Sequence, residues 1–154
     1  MKWEQGRVVV DHMIVDGELE RVQASREHAD RLLEQAKRHV ESAEQTCASD
    51  PEGAYGMLYD AGRKALWSVL ANQGLRPTRQ GDHLAVYRAV TAQLDPPMGP
   101  QLRPFDRMRR QRHAAEYPQA DTPELVSVDV LDDVPKIQAI VHIAEGVLDS
   151  MSVF

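Results

Sequence analysis

Along most of this chain apolar residues recur at spacings of three and four, the pattern of helices with one buried face. Ala29, Leu32, Leu33, Ala36, Val40, Ala43 and Cys47 form one such stripe. It predicts a helix over 25–47 with Ser25 as its N-cap. Ser49-Asp50-Pro51 closes that helix and opens a second, expected over 51–73 with Gly74 as its stop. Tyr55, Leu58, Tyr59, Gly62, Leu66, Val69 and Leu70 make its inward face. A glycine inside a helix costs about 1 kcal/mol relative to alanine, and close approach of a neighbouring helix at Gly62 would account for it. A third helix is expected over 83–94, capped by Asp82, with Leu84, Tyr87, Val90 and Leu94 inward. DPPMGP (95–100) interrupts the chain again. The fourth helix is read over 100–116 and stopped by Pro118; the fifth over 129–151, where Pro135 must start or kink it. Val134, Ile137, Val141, Ala144, Leu148 and Met151 form its apolar face. Strand-like alternation is ambiguous at 7–10 and 125–130 and scarce elsewhere. These elements predict an all-α, up-and-down bundle of four to five helices over 20–152, preceded by an N-terminal arm or short helix at 1–19.

Bulk properties narrow the class. With 154 residues, 42% hydrophobic and 27% charged, the chain suits one globular domain rather than a disordered one. No apolar run approaches a membrane span, and MKWEQGRVVVDHM lacks the apolar core of a signal peptide. A single cysteine, Cys47, cannot form an internal disulfide, so the expected compartment is the cytoplasm.

The net charge of −6 is unevenly spread. Residues 1–117 carry 17 basic and 17 acidic side chains, whereas residues 118–154 carry one lysine and seven acids. Within 76–112 eight arginines face three aspartates. A chain that is acidic by count can therefore present a basic face to phosphate, although arginines on helix faces are often merely solvated. The acidic tail reads as a solvated face or, less simply, as a screen over the arginines.

The arginines concentrate in RMRRQRH (107–113). The apolar stripe of this helix is Leu102, Phe105, Met108 and Ala115, and Arg112 lies within about 20° of Phe105 around the helix. Arg112 therefore points toward the core or a cleft and needs a partner, for which Glu116 at i+4 is the local choice. A buried ion pair and a bidentate phosphate contact fit this position equally well. Arg109 and His113 share a face, whereas Arg107 and His113 lie about 120° apart. His83, at a helix start, is read first as a histidine with a local hydrogen bond and second as a spare imidazole. No HxxxH, HExxH, CxxC, P-loop, GxGxxG or G-x-S-x-G pattern occurs, so no metal and no cofactor is expected. Tyr55 and Tyr59 read as core residues or a dimer seam, and Trp67 as a partly exposed interface residue.

YDAGRKAL (59–66), LRPT followed by GDHLAV (81–86), and FDRMRRQRHAAEYP (105–118) together resemble a HEPN domain over about residues 20–150. The resemblance implies a helical bundle that often dimerises and, in many members, a metal-independent ribonuclease or RNA-binding module, sometimes a toxin paired with a small nucleotidyltransferase. Its signature is an arginine, a polar residue, three or four further residues and a histidine. Arg112 and His113 match the first two positions, and Tyr117 stands where the histidine falls. A tyrosine, with a reference pKa of about 10, is a poor base at neutral pH. The expected function is an RNA-directed HEPN protein of toxin or defence type. Arg112, His113, Glu116 and Tyr117 form its candidate catalytic set, and Arg107, Arg109 and Arg110 are phosphate contacts. RNA and a second copy of the chain are the expected partners. The alternative is a non-catalytic interaction module paired with a nucleotidyltransferase, with Tyr117 as an acceptor of nucleotidylation.

Overall fold

The computed structural model describes residues 3–154. Helices α1 (Arg7–Val15), α2 (Arg26–Thr46), α3 (Pro51–Gln73), α4 (Asp82–Leu94), α5 (Gly99–Leu102), α6 (Pro104–Glu116) and α7 (Ser127–Val147) account for most of it. Two three-residue strands, β1 (Leu19–Arg21) and β2 (Leu75–Pro77), pair antiparallel with Glu20 opposite Arg76. Among the described residues this is an all-α fold with one small ribbon, and its helix count exceeds the expected four to five.

The long helices follow their local signals. The Ser25 hydroxyl accepts from the His28 amide at the start of α2. Asp50 accepts from the Gly53 amide at the start of α3, with Pro51 in its first turn. Gly74, at φ 81°, ends α3 in the left-handed conformation that favours glycine. The whole predicted stripe of α2 is buried. Helix α3 is the hub: α2, α4, α6 and α7 all pack on it. Its small residues Ala54, Ala61, Ala65 and Ser68 are buried beside the larger ones, so it is covered over most of its circumference, with only the side of Met57, Asp60, Lys64 and Trp67 half-buried.

Gly62 marks the tightest approach. A Cβ there would lie 2.8 Å from Ile137 Cδ1 on α7 and 3.1 Å from Phe105 Cδ2 on α6. Its helix-propensity cost is offset by the packing of three helices at one level.

Three expectations are corrected. The fourth helix is not continuous over 100–116; Pro104, which has no N–H to donate, opens α6 separately from the single turn α5. Asp82 makes no side-chain cap on α4, and its backbone sits at φ 51°. Leu84 is exposed, because α4 turns Ala85, Val86, Ala89 and Val90 inward. The 7–10 segment, ambiguous in sequence, is helical and belongs to α1, which lays Val10 and Met13 against α4. Pro135 lies inside α7 on its exposed side, where the carbonyl it leaves unpaired can meet solvent.

Replacing Gly62 by valine should destabilise the fold by about 1–3 kcal/mol through overpacking against Ile137 and Phe105. Chemical denaturation checks this; an unchanged midpoint would contradict the close approach.

Candidate functional site

Phe105 of α6 is the floor on which the site is built. Its ring stacks on Tyr59 of α3 at 5.0 Å and on Tyr87 of α4 at 5.8 Å. The stack fixes three helices at one level and leaves the Tyr59 hydroxyl at the edge of the core. That hydroxyl lies 3.0 Å from Nδ1 of His83. The Arg112 guanidinium sits 5.5 Å from the centre of the Tyr59 ring, within range of a cation–π contact.

Above Tyr59 a small open pocket of about 160 Å³ forms. Helix α4 supplies Asp82, His83 and Leu84 to its wall, and α6 supplies Arg109, Arg112 and His113. The spacing on α6 produces this convergence, since positions 109, 112 and 113 are neighbours on one helical face. Asp82 adopts a left-handed backbone, which aspartate tolerates better than most residues.

Each arginine near the pocket has a carboxylate partner. Arg112 meets Glu116 at 2.8 Å, with the two side chains 31% and 42% exposed. Arg112 is thus paired, as a core-facing arginine must be, and still accessible from the pocket. Arg109 meets Asp106 at 3.1 Å, and Arg110 reaches the same carboxylate at 3.4 Å. Burial pushes the Tyr59 hydroxyl up to about 12 despite the neighbouring arginines. Burial pulls the His83 imidazole below its ordinary value; Asp82 opposes this, and Arg63 and Arg112 reinforce it.

The predicted residues divide into those that converge and those that do not. Arg109, Arg112 and His113 line one pocket. Glu116 lies in an adjoining hollow of about 270 Å³, for which Arg112 is the shared wall. Tyr117 ends α6 with its ring 5.0 Å from that of His113 and is 60% exposed. Arg110 is also exposed and does not line the pocket. Arg107 turns the other way. Its guanidinium donates to Asp133 of α7 at 2.6 Å and to Gln111 at 3.0 Å. Asp133, only 5% exposed, also accepts from the Tyr55 hydroxyl at 2.8 Å and from Lys136 at 3.1 Å. One residue of the acidic tail thus meets the arginine cluster from inside the bundle. A larger hollow, about 620 Å³, lies along the C-terminal half of α6 and is bordered by Glu52, Glu124 and Asp129 with no arginine, a poor match for an anion.

Tyr59 is a core residue, as its spacing predicts, and His83 makes a hydrogen bond to it across two helices. Both occur in the quoted YDAGRKAL and GDHLAV segments, but nothing in their spacing told that they meet. Among the described residues no group of three or more His, Cys, Asp or Glu side chains is arranged to hold a metal ion. No helix there is long and apolar enough to cross a membrane.

A family model described as HEPN domain matches residues 29–152. No curated protein and no solved structure matches the chain.

The Asp133 network carries a stability prediction. Burial pushes this carboxyl up, but the hydrogen bonds from Arg107, Tyr55 and Lys136 outweigh it and hold it below the usual carboxylate range. Its contribution is therefore present above about pH 4 and is lost as pH falls through the depressed value. Asp133→Asn should cost about 2–3 kcal/mol at pH 7, and the gap to wild type should close below about pH 4. Denaturant titrations across that range test it; a gap independent of pH would contradict the ion pair.

Proposed function

Because the chain belongs to the HEPN domain family, we propose that it is an RNA-directed protein of toxin or defence type that cleaves RNA without a metal and works as a homodimer. One observation carries this reading: Arg109, Arg112 and His113 converge on a pocket of about 160 Å³. Sites for whole small ligands run to about 300–1,000 Å³. This one suits a single phosphate group of a longer chain. Arg112 binds that phosphate through its planar fork, which matches the geometry of two phosphate oxygens. Glu116 orients Arg112, Arg109 adds charge, and Arg109 and His113 offer donors. Arg110, exposed on the same helix, offers a contact to a neighbouring phosphate of the strand. Tyr117, exposed at the end of α6, completes the site at the cleft between two protomers. The reading gives Arg107 no phosphate contact, because its guanidinium is held by Asp133. A half-exposed arginine cluster suits a ligand whose charge develops during reaction, since fixed donors need no rearrangement at that moment.

A second reading rests on a different observation. Arg109 and Arg112 each already hold a carboxylate, and the Tyr117 side chain is open to solvent. In that reading the chain is a non-catalytic module whose partner, a small nucleotidyltransferase, modifies Tyr117. Co-expression with such a partner would then add the mass of one AMP to Tyr117, and Tyr117→Phe would remove it.

The direct test uses purified protein, transfer RNA and total RNA with EDTA present, resolved on a denaturing gel. Wild type is expected to cleave, and Arg112→Ala to lose about 100-fold or more of that activity. An Arg112→Ala variant that binds and cleaves as wild type does would overturn the reading.

A further inference from the structure

We propose that His83, presented by α4 and held by Tyr59, is the proton-accepting imidazole of this pocket. The inference rests on the RNA-cleaving reading and adds to it a base held by the core, since Tyr117 stands at the expected histidine position of the arginine-rich helix.

The geometry carries it. His83 Nδ1 is 3.0 Å from the Tyr59 hydroxyl, and its side chain is 35% exposed toward a pocket that it lines with Arg109 and Arg112. With Nδ1 protonated and donating to Tyr59, the lone pair of Nε2 is free to accept a proton. The Tyr59 hydroxyl stays protonated near neutral pH, its own pKa being pushed up to about 12, and keeps a hydrogen to donate toward a bound phosphate. Asp82 Oδ1 lies 3.6 Å from Nε2, beyond hydrogen-bond range in the neutral form but close enough to steady an imidazolium once it forms. His113 is the competing imidazole. It is exposed and packs its ring against Tyr117, a residue itself open to solvent.

The groups facing His83 set its titration. They are Asp82 on its own helix, Tyr59, Asp60 and Arg63 on α3, and Arg109, Arg112 and His113 on α6. Burial and the arginines keep the ring neutral at pH 7, the form a base needs. In the step proposed, Nε2 takes the proton of a ribose 2′-hydroxyl and the O2′–P bond forms as the P–O5′ bond breaks. The departing O5′ takes a proton from water. The products are a 2′,3′-cyclic phosphate and a 5′-hydroxyl, and the imidazolium returns its proton to solvent. No oxidant, reductant or further reactant enters.

The test measures cleavage of a fluorescent oligoribonucleotide in EDTA from pH 4.5 to 8.5, with RNA binding followed by anisotropy. Wild type should show an acid limb lying below the ordinary histidine value of about 6.5. His83→Ala should lose about 10²–10⁴-fold in rate with binding nearly retained, and added imidazole should restore part of it. His142→Ala, a histidine exposed elsewhere, should cleave as wild type does. Tyr59→Phe keeps the ring stack and should shift the acid limb. It serves as the second variant should His83→Ala fail to fold. Cleavage untouched by His83→Ala, or lost only in His113→Ala, would overturn the role of His83 and leave the RNA-cleaving reading intact. Absence of cleavage by folded wild type would overturn both.

Discussion

The stacked rings of Tyr59 and Phe105, with centroids 5.0 Å apart, join the interior of the bundle to its candidate site. Both residues are fully buried. Removing two such side chains from water is worth about 1.5–3 kcal/mol each, and the stacking geometry adds about 0.5–1.5 kcal/mol. Burial is the larger contribution, so the position of Tyr59 is set by the core and not by the pocket. The consequence is a phenol whose ring is packed into the core and whose hydroxyl and face meet His83 and Arg112. Rigidity at the floor of the pocket is what permits a small number of polar groups above it to hold a defined arrangement. Gly62 is part of the same constraint, because the close approach of α6 that brings Phe105 onto Tyr59 leaves no room for a side chain there.

Helix α6 distributes its arginines by the carboxylates available to them. Arg107 is drawn inward by Asp133, Arg109 and Arg110 share Asp106, and Arg112 pairs with Glu116. Surface pairs of this kind contribute little to stability. Their consequence is positional, since each holds a long side chain in one region. The Asp133 network differs because its carboxylate is buried and satisfied by three side chains from three positions. It ties α3, α6 and α7 together on the side of α6 opposite the pocket. A helix clamped on both faces can present Arg112 and Arg109 at a fixed distance from His83.

Much of this architecture was readable from the chain. The stripe of α2, the caps Ser25 and Asp50, the stop at Gly74 and the close approach at Gly62 all follow from local chemistry that the fold leaves intact. The break at Pro104 was equally local; the apolar stripe running through it outweighed the proline in a periodicity reading, whereas the missing N–H prevailed in the structure. Leu84 and the inward alanines of α4 were misjudged because size is a poor guide to burial where helices pack closely. At the site, the convergence of Arg109, Arg112 and His113 follows from helical spacing alone. The pairing of Tyr59 with His83, and of Arg107 with Asp133, joins residues more than twenty positions apart, and spacing along one helix carries no information about such contacts.

The central claim is that the phosphate backbone of RNA occupies the pocket over Tyr59. The six histidines of the chain are natural reporters, since only His83 and His113 line that pocket. The most direct measurement follows all six imidazoles by NMR while a short, uncleavable 2′-deoxy or 2′-O-methyl oligonucleotide is added. Saturable shifts are predicted at His83 and His113, with His12, His28, His39 and His142 unmoved, and loss of those shifts in Arg112→Ala. Binding that moves the other histidines and leaves His83 and His113 in place would contradict it.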